Sequence, residues 1–440
     1  MKEILKKFIP DFVLSWYHWK LALAAAILYW FPSRPLKFSF GKFRRVRKLK
    51  VIGITGTNGK STVVEMTTRI FEESGFKVAS LSSIRFKIGE KDWPNTLKMT
   101  MPGRFRIQRF LRQAVNAGCQ YAVLEVTSEG IKQHRHKFID FEAAVFTNLS
   151  PEHIEAHAGF ENYRAAKGKL FQAAKKIHII NLDDENAEYF LQFPAAKKLG
   201  FSLLKNREHS SVSFSRERVS AITAENIRAS SAGIQFSVEN EQFTLSLMGE
   251  FNIYNALAAI YVGISQGINL ETCKAAVEKI KGIPGRMEEV VSEPFKVFVD
   301  YAFTPNALEK VYRTIKNNFQ PQKMICVLGA CGGGRDKWKR PVLGELAAQY
   351  CDEIIVTNED PYDENPMEII DEVAEGTSGK AKKILDRREA IGESLKLARP
   401  GDVVVITGKG CEPWICLAKG KKIPWDDRQV VKEEFQKFQK

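Results

Sequence analysis

The chain has 440 residues, 44% of them apolar and 27% charged, a balance that suits two or three globular domains and leaves no low-complexity tract. Its net charge of +14 is concentrated: residues 1–50 hold twelve Lys or Arg against Glu3 and Asp11, and so supply +10 of the total. The near balance of the remainder argues against a nucleic-acid partner and for an anionic surface facing the N-terminus alone.

The first element is the apolar stretch Phe12–Phe31. Twenty residues suffice to cross a bilayer, but His18 and Lys20 interrupt this one, and the unbroken apolar run is only Leu21–Pro32. No small-residue cleavage site follows, which argues against a signal peptide. A helix lying on a membrane surface or docked on protein is expected. Eight basic residues and no acid follow between Arg34 and Lys50, a patch suited to anionic headgroups. The expected location is cytoplasmic, peripheral at the inner face of the membrane. The seven cysteines are scattered without a CxxC pair, as free thiols in a reducing compartment would be.

From Lys48 the pattern alternates. Strands are expected at 49–55, 77–82, 121–127, 142–149 and 177–182, with helices at 60–74, 105–117 and 163–176 between them. Residues 200–248 break the rhythm with short alternating runs (201–204, 211–215, 234–238, 243–247), which predict a small antiparallel insert. Helices resume at 253–266 and 270–280. The Pro/Gly punctuation of Gly282–Arg286 marks a domain joint. Strands at 295–301, 323–330, 352–357 and 402–407 then form a second doubly wound unit. The predicted fold class is α/β: a phosphate-loop (P-loop) parallel-sheet ATPase domain with a small antiparallel insert, then a Rossmann-like C-terminal domain. The expected division is an N-terminal hydrophobic and basic segment (1–47), a central domain (48–284) and a C-terminal domain (285–440).

The stretch GITGTNGKST follows a strand and opens a helix, the setting of a phosphate loop. Gly56, Thr57, Asn58 and Gly59 would turn backbone N–H groups onto phosphate oxygens, Lys60 would reach the β/γ-phosphates, and Ser61, followed by Thr62, would ligate Mg²⁺. The strict GxxxxGK[ST] spacing fails because Ile54 stands at its first Gly. Glu125 ends a strand, where a carboxylate can hold Mg²⁺. His153 follows the next strand, and Lys167 lies on a helix. Taken singly, these two read as an ordinary capping residue and a solvated lysine.

Together the motifs resemble the Mur ligase family. GTNGKS (56–61), EVTS (125–128), NLSPEH (148–153), YRAAKGKLF (163–171), GEFNIYNALAA (249–259), GRME (285–288), DYAFTP (300–305), GGGRDKWKRP (332–341) and GKGCE (408–412) follow the family's order across residues 48–440. They look most like the branch that adds the third residue of the peptidoglycan stem peptide. The resemblance implies ATP-driven amide formation through an acyl phosphate. It also implies catalytic Lys60, Glu125, His153 and Lys167; metal ligands Ser61, Glu125 and His153; a carbamylated Lys167; and nucleotide contacts from Asn255, Arg286 and Asp300. Acceptor contacts are implied at Thr100, Pro102, Thr127 and Arg135. Met101, Glu129, Phe303 and Cys411 depart from the family pattern. So does the short N-terminal segment, because 47 residues are too few for the domain of roughly a hundred residues that usually grips the substrate's nucleotide.

TNEDPYDENP (357–366) aligns with the family's amino-acid specificity loop. Branches using meso-diaminopimelate carry Arg where Tyr362 stands, and the loop here is acidic through Glu359, Asp360 and Asp363. Loss of a bidentate cation and gain of acids favour an ammonium-terminated side chain, lysine or ornithine. Arg335 would take the α-carboxylate, with Gly408 and Glu412 nearby. The partners expected are thus a muropeptide precursor, nucleotide-linked or lipid-linked, and a diamino acid. Two alternatives stay open: the same chemistry on another acceptor, such as a polyglutamate type, or a membrane-docked nucleotide-binding protein without ligase activity.

Overall fold

The computed structural model describes residues 10–29, 31–33, 49–203 and 219–438. The basic run up to Lys48 and the predicted strand at 211–215 lie outside the described residues.

Helix α1 (Asp11–Leu28) precedes the first sheet. The chain then runs β1 (Lys50–Thr55), α2 (Lys60–Glu73), β2 (Val78–Leu81), β3 (Arg85–Ile88), β4 (Lys91–Pro94), α3 (Arg104–Asn116), β5 (Tyr121–Glu125), α4 (Ser128–Lys132), β6 (Phe141–Phe146), α5 (Ile154–His157), α6 (Phe160–Ala173), β7 (Ile177–Asn181), α7 (Ala187–Leu191), β8 (Lys197–Ser202), β9 (Ser220–Ser230), β10 (Gly233–Val238), β11 (Glu241–Leu245), α8 (Phe251–Ser265) and α9 (Leu270–Glu278). These strands form one sheet in the order β11-β10-β9-β8-β7-β6-β1-β5-β2-β3-β4. Pairing is parallel from β9 through to β2, and antiparallel at both ends. The central strands are apolar runs buried on both faces, as a parallel sheet between helix layers requires. Helices α2, α8 and α9 cover one face with Met66, Ile70, Ile253 and Val277. Helices α3 and α6 cover the other with Leu111, Tyr163 and Phe171.

Two details differ from the sequence-based expectation. The insert is an extension of the main sheet: β9 lies parallel to β8, and Phe201, assigned from sequence to the insert, belongs to parallel β8. The β3–β4 hairpin was not anticipated.

The second sheet contains β12 (Glu288–Val291), β13 (Lys296–Asp300), β14 (Met324–Leu328), β15 (Glu353–Thr357), β16 (Ala381–Ile384) and β17 (Val403–Thr407), ordered β12-β13-β17-β14-β15-β16. All neighbours are parallel except β12 and β13. Helices α10 (Pro305–Phe319), α11 (Lys339–Tyr350) and α12 (Pro366–Glu375) pack on one face, and α13 (Arg387–Leu397) and α14 (Asp427–Phe438) on the other.

Helix α1 packs on α3 through Ala22, Ala25 and Ala26, which are fully or nearly buried. Polar contacts seat it: Ser15 Oγ lies 2.7 Å from His134 Nε2, His18 Nδ1 lies 2.8 Å from Arg104 Nη2, and Tyr29 O accepts from Arg112. The opposite face is apolar and open, with Phe12 75%, Trp16 58% and Leu28 60% exposed. Among the described residues no helix is long and apolar enough to cross a membrane.

Candidate active site

The site lies between the two sheets, at the C-terminal ends of β1, β5 and β6, where parallel strands release their loops. It is a cavity of about 600 Å³. After β1 the chain turns through Gly56 (φ 151°) and Gly59 (φ 82°) into α2. A Cβ on Gly56 would fall 2.0 Å from Thr147 Oγ1, and one on Gly59 would fall 2.3 Å from Asn255 Oδ1, so the loop needs both glycines. Thr57 N donates to Asn148 O (2.8 Å) and Asn58 N to Asn148 Oδ1 (2.9 Å), which pins the loop to the segment after β6. Lys60 Nζ donates to Thr57 O (2.7 Å) and lies 4.0 Å from Glu125 Oε1. Burial lowers its pKa, and Glu125 opposes that shift. Ser61 Oγ donates to Glu125 Oε2 at 2.8 Å, as does Ser83 N at 2.9 Å. Thr62 is buried in the first turn of α2.

His153 (φ 57°) precedes α5 and sets its ring 3.3 Å from Arg335 Nη1 of the second unit. Burial and then Arg335 push its pKa down to about 2, so the imidazole is neutral and has a lone pair to offer a ligand. Lys167 is fully buried on α6. Its Nζ donates to Gly56 O (2.7 Å) and sits 4.5 Å from the Tyr163 ring centroid. Burial and the charge of Lys60 hold its pKa well below the usual lysine value.

The family's divalent cation can be tested against these donors. A hydroxyl (Ser61), two carboxylates (Glu125, Glu152) and a neutral imidazole (His153) line the same cavity, and Glu152 Oε2 is buried with no hydrogen-bond partner among the described residues. Oxygen-rich donors with an unsatisfied carboxylate oxygen fit Mg²⁺.

Of the other expected nucleotide residues, Asn255, Arg286 and Asp300 all line the cavity. Asn255 donates to Asn252 Oδ1 (2.9 Å), and the Arg286 guanidinium lies 4.5 Å from the Tyr301 ring centroid. Asp300 accepts from Met287 N and Ala302 N, each at 2.6 Å, so its carboxylate already pins the domain joint. Burial raises its pKa against the pull of Arg286.

On the acceptor side, Thr100, Thr127 and Arg135 line the cavity, whereas Pro102 is buried behind it. Thr127 caps α4 by accepting from Gly130 N (3.1 Å). Arg135 donates to Met101 O and, through Nη2, to Gln133 Oε1 (2.7 Å), while its buried Nε has no partner among the described residues.

In the amino-acid region, Arg335, Glu359, Asp360, Tyr362 and Glu412 line the cavity. Asp360 is not a free acid. Lys409 Nζ lies 3.0 Å from both its oxygens, and Lys98 Nζ lies 2.6 Å from Oδ2. Burial works against ionisation of Asp360, but Lys409 and Lys98 outweigh it and hold its pKa below the carboxylate range. Asp363 instead accepts from Lys419 N. Glu359 is buried, and its Oε1 accepts from the Cys331 thiol (2.8 Å). Its Oε2 has no partner among the described residues, and burial and then Asp360 raise its pKa. Gly408 lies outside the lining but beside it: a Cβ there would meet Glu359 Oε2 at 2.4 Å.

Several residues that sequence reasoning passed over join the two units. Lys339 Nζ and Glu152 Oε1 pair at 2.8 Å, both buried. Asp336 accepts from Ile154 N (3.1 Å) and Glu155 N (3.0 Å), and so caps α5 from across the cleft. Lys98, Lys409 and Tyr301 converge on Glu412. Glu152, Asp336, Lys339, Lys409 and Tyr301 all lie inside motifs already quoted, which was the one signal available.

Comparison with known proteins identifies the family. The Mur ligase middle domain matches residues 54–263, and the Mur ligase glutamate ligase domain matches residues 285–410. A UDP-N-acetylmuramyl-tripeptide synthetase of Roseiflexus sp. (strain RS-1) is 36% identical over 409 residues, covering 87% of this chain and 77% of that protein. A UDP-N-acetylmuramoyl-L-alanyl-D-glutamate--2,6-diaminopimelate ligase of Caldanaerobacter subterraneus subsp. tengcongensis is 38% identical over 394 residues, covering 88% and 78%. The solved structure of a ligase of that same name superposes with a TM-score of 0.58 at 29% identity, covering 89% of this chain and 79% of that one. A Mycobacterium tuberculosis folylpolyglutamate synthase shares the fold, with a TM-score of 0.68 at 16% identity over 91% and 96%. The chain belongs to the Mur ligase family and is an ATP-dependent ligase that forms C–N bonds.

Proposed function

We propose that the protein joins a diamino acid, L-lysine or L-ornithine, to the D-glutamate carboxylate of a peptidoglycan-precursor dipeptide. The carboxylate oxygen bonds to the γ-phosphorus as ADP leaves. The amine nitrogen then bonds to the acyl carbon, phosphate leaves, and the amine gives up a proton. Lys60 and the loop N–H groups hold the phosphates in place, and Arg135 meets the acidic stem of the acceptor. Mg²⁺, held by Ser61, Glu125 and His153, would supply charge neutralisation on the phosphates. The buried amine of Lys167, its pKa lowered by burial and Lys60, suits addition of CO₂ to its neutral form: nitrogen bonds to carbon, a proton leaves, and a carbamate anion remains. A mass equal to the bare Lys167 peptide under CO₂-replete conditions would count against that modification.

The observation that carries the lysine or ornithine reading is the buried Glu359 Oε2, which has no hydrogen-bond partner among the described residues, in a loop where Tyr362 offers no cation for a distal carboxylate. A substrate ammonium would satisfy that oxygen. The test is competition among lysine, ornithine and diaminopimelate, with the product read by mass spectrometry. Preference for diaminopimelate would sink the charge argument.

A second observation bears on the acceptor. Helix α1 bears exposed Phe12, Trp16 and Leu28, and its Ser15 and His18 reach His134 and Arg104, next to Gln133 and Arg135. Interfacial aromatics beside the acceptor pocket support a lipid-linked muropeptide and a peripheral membrane position. Equal turnover of nucleotide-linked and lipid-linked dipeptide on anionic vesicles would remove that support.

A further inference from the structure

Lys98 belongs to the loop between β4 and α3, in the first unit, yet its ammonium sits in the second. Nζ lies 2.6 Å from Asp360 Oδ2 and also contacts Glu412 Oε2. The remaining positions on these two carboxylates are filled from within the second unit. Lys409 Nζ binds both oxygens of Asp360 at 3.0 Å and Glu412 Oε2 at 2.8 Å; Cys416 N donates to Asp360 Oδ1; Tyr301 Oη donates to Glu412 Oε1. Lys409 is fully buried, whereas the Lys98 side chain keeps 10% exposure and enters from a loop. Lys98 also has φ 54°, a conformation that costs a non-glycine residue free energy and that the two ion pairs offset. The loop is held nearby by Trp414 Nε1, which donates to Thr96 O at 3.0 Å. At its other end, Met99 Sδ and Met101 O accept from Arg135 Nη1.

We infer that Lys98 is an internal stand-in for the substrate's ammonium: it fills the Asp360–Glu412 subsite until the incoming amino acid displaces it. The inference rests on the reading of this end of the cavity as the amino-acid site. Two carboxylates face two ammoniums here, so exchange of the Lys98 ammonium for a substrate ammonium keeps the charge balanced. An amino acid with no second ammonium either leaves Lys98 in place or strands a buried carboxylate, which is costly. Lys98 thereby selects for diamino acids. Its departure moves the 95–101 loop, whose far end holds Arg135, and so couples amino-acid entry to the acceptor side.

The test uses full-length protein and whichever amine the wild type prefers in the competition panel, so it remains decisive if that panel overturns the lysine or ornithine reading. Lys98→Met removes the internal competitor. The KM for the amine should fall about tenfold, and the acceptor KM should change with it because the loop that holds Arg135 is released. Lys98→Arg keeps the cation and should keep the wild-type KM. A raised amine KM in Lys98→Met would make Lys98 a substrate-holding group and overturn the inference. A drop in kcat alone would make it structural and overturn it equally. A second readout is independent of turnover. Saturating amine should change the Trp414 fluorescence of the wild type, with Trp414→Phe identifying the signal, and Lys98→Met should show the shifted signal without amine. No change on saturation overturns the displacement.

Discussion

Lys339 and Glu152 form an ion pair across the cleft, Nζ to Oε1 at 2.8 Å, each side chain only 3% exposed. It joins the second unit to the segment that carries His153. Truncation of either partner leaves a buried charge uncompensated. Lys339→Met should therefore open the cleft and lower kcat/KM about 100-fold. Small-angle scattering checks the opening. The Lys339→Met/Glu152→Gln double variant should regain compactness, because it leaves no buried charge unpaired.

Gly56→Ala should disable the phosphate loop and leave the fold intact. The added Cβ would press on Thr147 Oγ1 at a φ of 151°, and relief would move the loop off its Asn148 anchors. A shift of about 1 Å there costs about 100-fold in kcat/KM. Circular dichroism should match the wild type while ATP turnover falls.

Acid should weaken the protein before its carboxylates titrate. Burial and then Lys137 push His136 down to about 3, and burial and then Arg335 push His153 to about 2, against about 6.5 in an unfolded chain. Below about pH 6.5 the unfolded state binds protons that the native state refuses, so stability falls as pH drops. Each histidine contributes about 1.4 kcal/mol per pH unit in that range. Denaturant midpoints between about pH 6 and 5 check this. His136→Phe should reduce the slope by about one proton.

The Arg387–Asp427 pair ties α13 to α14. Nε and Nη2 donate to Asp427 Oδ1 (2.9 Å) and Oδ2 (2.8 Å), with both side chains buried. Asp427→Asn should cost about 3–5 kcal/mol, because an unpaired guanidinium stays buried. The unfolding midpoint of the second unit, followed by denaturant titration, measures the loss.

The parts legible in sequence were those written in local patterns. Continuous apolar runs such as 51–55 and 403–407 announced buried parallel strands, and Gly56–Ser61 announced its loop. β9 escaped notice because Glu225, Asn226, Arg228 and Ser230 break any apolar pattern, and 225–230 is exposed or half-exposed along a strand that projects beyond β8. The β3–β4 hairpin could have been read from the turn at Gly89, with alternation on both sides. Lys98 could not: its partners Asp360 and Glu412 lie over 260 residues away, and no local periodicity encodes an ion pair made by domain approach. The acidity of 359–363 was legible, but its neutralisation by Lys409 and Lys98 was a tertiary fact.

Asp336 has one further consequence. It donates nothing to the chemistry, yet it holds the first turn of α5, the turn that begins just after His153. With the units apart, the backbone bearing that imidazole loses its anchor, and the ring loses the Arg335 guanidinium 3.3 Å away. It follows that the placement of the His153 side chain depends on both halves of the molecule being engaged.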